Sequence, residues 1–167
     1  SFFPWLGGSV CAYFLTQFDP ETVDAGPTVN VPGTLVQYDP QNYLLTLRDD
    51  QWTQNYAYTS TLRTFAWNGG LTLNELDNTQ LPDNASVVLG RGGKVYVESY
   101  DNGVKLDTYK VLPGGSITSH DTVVVTDSWG SLVDANATSA YFSIGGGAIA
   151  RYDCTNRLST FGLSSAA

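Results

Sequence analysis

The chain has 167 residues, 42% of them hydrophobic and 13% aromatic, and 8 Lys plus Arg stand against 16 Asp plus Glu for a net charge of −8. That length suits one domain able to bury a core without depending on crosslinks. The acidic balance repels phosphate backbones and anionic lipid, which disfavours nucleic-acid or membrane binding by a basic patch.

Residue usage is β-like: Thr and Val are abundant, Gly numbers 17 and Met is absent. No window of a dozen residues carries apolar side chains at a 3.6-residue period, so almost no helix is expected. No apolar run reaches the roughly 18 residues that a membrane-spanning helix needs.

Residues 1–10, SFFPWLGGSV, crowd Phe2, Phe3, Trp5 and Leu6 together, and the segment is expected to dock on this domain or on a neighbouring chain. A start without Met points to a mature or cleaved product. Residues 11–160 read as one all-β domain and 161–167 as a C-terminal tail. Cys11 and Cys154 are the only cysteines, and an oxidising compartment would join them, closing 154 − 11 = 143 residues. Chain entropy puts such a closure at roughly 4 to 5 kcal/mol; two buried thiols in strands are the other reading. The sequons at Asn84 and Asn136 fall in loop-like stretches and fit the same location: extracellular, cell surface or periplasmic.

Along the chain, "VCAYFLTQFDP" (10–20) reads as a strand. "DPQNYLLTLRDDQW" (39–52) gives a strand from Tyr43 to Leu47, with a return strand in "TSTLRTFAWNGG" after an insertion. The clearest pattern is "KVYVESYDNGVKLDTYKVLPGG" (94–115). Val95 and Val97 face one side, while Lys94, Tyr96 and Glu98 face the other. Asp101-Asn102-Gly103 makes a tight turn, and a second strand runs from Val104 to Pro113-Gly114-Gly115. Ile117–Asp127 reads as one bent or two short strands, and Val123-Val124-Val125, apolar on both faces, fits an interior strand. "NATSAYFSIGGGAIARYDCTNRL" (136–158) repeats the outline, with strands on either side of Gly145-Gly146-Gly147.

Anchored on Tyr43, Tyr96 and Tyr141, these units recur after 96 − 43 = 53 and 141 − 96 = 45 residues. Runs of four short antiparallel strands at such a period point to β-propeller blades or part of a propeller; a meandering β-sandwich is the alternative. The phrases "VPGTLVQYDPQNYLLTLRDD", "GRGGKVYVESYDNGVKLDTYKV" and "ATSAYFSIGGGAIARYDC", over about residues 30 to 160, resemble the blade phrase of secreted bacterial β-propellers distantly related to the WD-repeat and quinoprotein types. The Gly-His and Trp-Asp dipeptides of WD repeats are absent, as is the tryptophan docking motif of quinoprotein propellers, so the resemblance implies no cofactor. Propellers take at least four blades and this length supplies about three and a half, so either other protein completes the fold, or the blades are small, or the fold is a sandwich.

Reactive groups are few. His120 is the only histidine, and the two cysteines form no C-x-x-C pair, so no metal site is expected. No stretch reads D-x-[DN]-x-[DN]-G, and the Asp residues beside Gly, Asn and Pro read as solvated turns. Ser119, His120 and Asp121 hold triad residue types, but neighbours on a strand face opposite sides. Glu98, beside Tyr96, Tyr100 and Asp101, is the one carboxylate placed for glycoside chemistry, against a solvated strand end as the plainer reading. Aromatics are the richer signal, and Trp52, Tyr56, Tyr58, Tyr96 and Tyr100 form the candidate binding set. The expectation is a non-enzymatic, exported interaction or assembly subunit whose partners are other protein subunits or further copies of itself. A carbohydrate-binding or glycoside-cleaving β-domain is the alternative.

Overall fold

The structure, a computed structural model, describes residues 8–16, 19–52, 58–153 and 157–162, with side chains over 28–52, 58–119 and 121–153. Its elements are all strands: β1 (Gly8–Thr16), β2 (Asp19–Val31), β3 (Thr34–Asp39), β4 (Leu44–Trp52), β5 (Tyr58–Ala66), β6 (Asn74–Gln80) and β7 (Ala85–Arg91). They continue as β8 (Lys94–Tyr100), β9 (Val104–Val111), β10 (Ile117–Thr126), β11 (Gly130–Ala135), β12 (Ser139–Ile144), β13 (Ala148–Asp153) and β14 (Arg157–Gly162). β1 begins at Gly8 and β14 ends at Gly162.

Consecutive strands pair antiparallel into a hairpin, β1-β2, and three four-stranded sheets: β3 to β6, β7 to β10 and β11 to β14. The first strands of successive sheets lie against each other, β3 beside β7 and β7 beside β11. Each first strand also carries one irregularity against its second strand, between Leu35 and Gln37, Ala85 and Val88, and Leu132 and Asp134. Such bulges bend a strand and re-aim its unpaired groups.

Side-chain alternation explains the layering. Leu45 and Leu47 of β4, with Phe65 and Trp67, pack against Val29 and Val31 of the hairpin. Leu44 and Leu62, on the other side of the same sheet, meet Val95, Val97, Tyr109 and Val111 of the second sheet. Tyr96, Val104 and Leu106 then meet Leu132, Ala140, Phe142, Ala150 and Tyr152 of the third. The layers therefore run in series, from hairpin through the three sheets, rather than as the two sheets of a sandwich. Each fully buried large side chain contributes about 1.5–3 kcal/mol, and the middle sheet is apolar on both faces because it is covered on both.

The hairpin read over residues 94–112 forms as expected. Asn102 at φ 54° and Gly103 at φ 140° make its turn. A Cβ on Gly103 would sit 2.6 Å from the Thr126 carbonyl oxygen, so the turn requires glycine. Two local expectations are corrected. Tyr43 lies in the β3-β4 turn at φ 54° and not on a strand. The Val123-Val124-Val125 run is on an edge strand, since β10 ends its sheet's order. There Val125 is buried and Val123 half-buried, but Val124 is exposed. Register shifts in β10 beside Asp121 and Thr126 bend it over the third sheet, which covers one side only.

Candidate functional site

Strand direction places the ends of β4 and β8 and the starts of β7 and β11 at one end of the stack. Two polar side chains there tie each sheet to the next. Arg48, on β4, donates through Nη2 to the Ala85 carbonyl at 2.9 Å and through Nη1 to the Ser86 carbonyl at 2.8 Å, both at the start of β7. Glu98, on β8, accepts from the Ser86 hydroxyl at 2.7 Å and from the backbone N–H of Leu132 on β11. β7 and β11 are edge strands of their own sheets. Their outward backbone groups need partners, and the preceding sheet supplies a cation for carbonyls in one case and a carboxylate for an N–H in the other.

Arg48 is itself fixed. Its Nε donates to Asp50 at 2.7 Å, and Nη2 reaches the Tyr58 hydroxyl at 3.0 Å and Ser60 at 3.2 Å. Burial pushes the Asp50 carboxyl up, but hydrogen bonds from Ser60, Tyr58 and Arg48, with the Arg48 charge, hold it below its ordinary value. A third tie lies at the opposite end of the first sheet. There Asp77 accepts from the Ile117 N–H at 2.7 Å, and the Thr64 hydroxyl donates to the Gly115 carbonyl at 2.6 Å.

Two aromatic pairs occupy the Arg48–Glu98 end. Trp52, 71% exposed, tilts at 59° against Tyr58 with centroids 5.2 Å apart, across the end of the β4-β5 pair. Trp129, 81% exposed in the loop before β11, stacks at 27° on Tyr100, 5.9 Å away. Of the sequence candidates, Trp52 and Tyr58 thus come together, and Tyr100 joins a partner that its neighbours in sequence did not reveal. Tyr96 is a correction: it is 0% exposed, packed between the second and third sheets. Its strand is covered on both sides, so the face opposite Val95 and Val97 is as buried as theirs. Glu98 is likewise no solvated strand end, at 8% exposure. Tyr56 and Cys154 lie outside the described residues. So does the Cys11 side chain, although Cys11 sits on β1 opposite Thr28.

The sequons differ in kind. Asn84 is exposed in the β6-β7 turn at φ 62°. Asn136 uses its Oδ1 to accept from the N–H groups of Thr138 and Ser139, each at 2.8 Å, which closes its own turn.

A shallow recess between β9 and β10 is lined by Asp107, Thr108, Tyr109, Ser119, Asp121 and Thr122. The register shift between Ser119 and Asp121 sets both along it, an arrangement that simple alternation does not anticipate. Burial first, then the Asp107 charge, pushes the Tyr109 hydroxyl up to about 12. The neutral phenol is therefore favoured in the fold. Its stabilising share is complete below the ordinary value near 10 and is lost as pH rises through about 12. Tyr109→Phe should remove that alkaline loss, about 1 kcal/mol at pH 11 and growing towards pH 12, while leaving neutral-pH stability nearly unchanged. Melting curves at pH 8 and at about pH 11 check this.

Among the described residues no group of three or more His, Cys, Asp or Glu side chains could hold a metal ion, and no helix is long and apolar enough to cross a membrane. No family model, curated protein or solved structure matches the chain.

Proposed function

We propose that this chain is a non-catalytic, exported module that works by surface contact, its three four-stranded sheets serving as blades of a propeller-type stack that further sheets, from a partner chain or another copy, complete. The observation that carries the reading is the recurrence of one unit. Each sheet is a four-strand meander, each first strand is bulged and lies beside the next first strand, and Arg48 and Glu98 bridge from second strand to following first strand. Blades around an axis need such repeated face-to-face joints.

The side of the third sheet turned away from the second carries Tyr141, Ile149 and Arg151, by alternation with buried Phe142, Ala150 and Tyr152. All three are only partly covered, so this side offers the next sheet its seat. The carboxylates support a structural role over catalysis. Glu98 is spent between sheets, and Glu75 pairs with Arg63 at 3.7 Å and accepts from Asn78 at 3.1 Å. Export rests on the cysteine pair and the sequons.

Light scattering on the native protein should give a mass above that of one chain, reduced by Ile149→Arg without loss of the β-sheet circular dichroism. A monomer at every concentration, indifferent to Ile149→Arg, would overturn the reading.

A further inference from the structure

The aromatic pairs have features that the stacking of sheets does not use. A tryptophan left largely in water forgoes burial worth about 1.5–3 kcal/mol, and here two do so at the same end of the stack, Trp52 at the end of β4 and Trp129 in the loop before β11. Neither indole is loosely held. Tyr58 supports Trp52, and its hydroxyl is fixed by Arg48. Tyr100, at the end of β8, supports Trp129. Each ring is thus braced from one side by another ring, a rigid flat surface of low ordering cost.

The surroundings define what such surfaces take. A protein hot spot has an apolar core around its anchor. Here the sequence neighbours are Asp50 and Gln51 beside Trp52, and Asp127, Ser128, Gly130 and Ser131 around Trp129. The nearby cations are engaged: Arg48 with Asp50 at 2.7 Å and Lys105 with Asp101 at 2.6 Å. With a net charge of −8, a phosphate-bearing or acidic ligand is repelled. An uncharged molecule with a flat C–H face for the rings and hydroxyls for the carboxylates and amides fits this surface.

We infer that the Trp52–Tyr58 and Tyr100–Trp129 pairs form a binding site for a neutral polysaccharide, each indole receiving one sugar ring. The inference goes beyond the assembly reading, which concerns the open side of the third sheet, and assigns a ligand to this other surface. Binding through both platforms at once gains from effective concentration.

Affinity electrophoresis through gels holding a glucan, a xylan, a mannan or soluble chitin oligomers tests it. The wild-type protein should be retarded in at least one gel. Trp52→Ala or Trp129→Ala should weaken that retardation by roughly tenfold, and the double variant should abolish it. Both residues are exposed, so melting temperatures should hold, and a fold defect is thereby separated from lost binding. No retardation in any gel, or retardation indifferent to both substitutions, overturns the inference. So does a fall in native mass on Trp129→Ala, which would make the rings a protein contact. Ile149→Arg affects a different surface, so failure of the glycan site and failure of the assembly reading are distinguishable.

Discussion

Arg48→Met is expected to lower the free energy of unfolding by about 2–4 kcal/mol, the largest effect of any single polar side chain at this end of the stack. Methionine keeps most of the aliphatic stem, so the loss reports the guanidinium. Without it the Ala85 and Ser86 carbonyls lose their donors, and Asp50 keeps only Ser60 and Tyr58. The deficit should depend on pH. Because the Asp50 carboxyl is held below its ordinary value, its contribution is complete above about pH 4 and disappears as pH falls through the lower folded value. The gap between wild type and variant should therefore be widest near neutrality and narrow in acid. Urea unfolding at pH 7 and at about pH 3 measures both; an equal gap at the two would remove Asp50 from the account.

Glu98→Ala should cost about 2–3 kcal/mol, and Glu98→Gln much less. Alanine leaves the buried Leu132 N–H without an acceptor and the Ser86 hydroxyl with only the Glu98 backbone carbonyl at 3.4 Å. Glutamine has one oxygen for the N–H and an amide that can donate to Ser86, so the joint survives in neutral form. That ordering separates a structural carboxylate from a catalytic one, since a glycosidase acid would lose its chemistry in both variants. Denaturation midpoints supply the comparison.

The chain announces its β class, its hairpins at 94–112 and 139–153 and the opposed faces of Val95, Tyr96 and Val97, because alternation and turn chemistry are local. What it hides depends on neighbours far along the chain. Tyr96 and Glu98 carry the same local pattern whether the sheet beyond them is present or not, and only that third sheet buries them. Trp129 finds Tyr100 across 129 − 100 = 29 residues, and nothing in "TDSWGS" announces it. The bulges leave no mark either, since one extra residue in a Val- and Leu-rich strand resembles regular strand. Hence the spacing drawn through Tyr43, Tyr96 and Tyr141 approximates a repeat better seen in the sheet starts, Thr34, Ala85 and Gly130, which lie 85 − 34 = 51 and 130 − 85 = 45 residues apart. Arg48 escaped notice for the same reason: in "TLRDDQ" it looks like a solvated charge, and its targets lie 37 and 38 residues on.

That side chains, reaching from one sheet to the edge strand of the next, hold the layers in series is tested most directly by amide hydrogen exchange at Leu132. Its N–H should be protected in the wild type and exchange at least tenfold faster in Glu98→Ala, while Phe142 within the same sheet stays slow. Free exchange of Leu132 in the wild type, or equal protection with and without the Glu98 carboxylate, would contradict it.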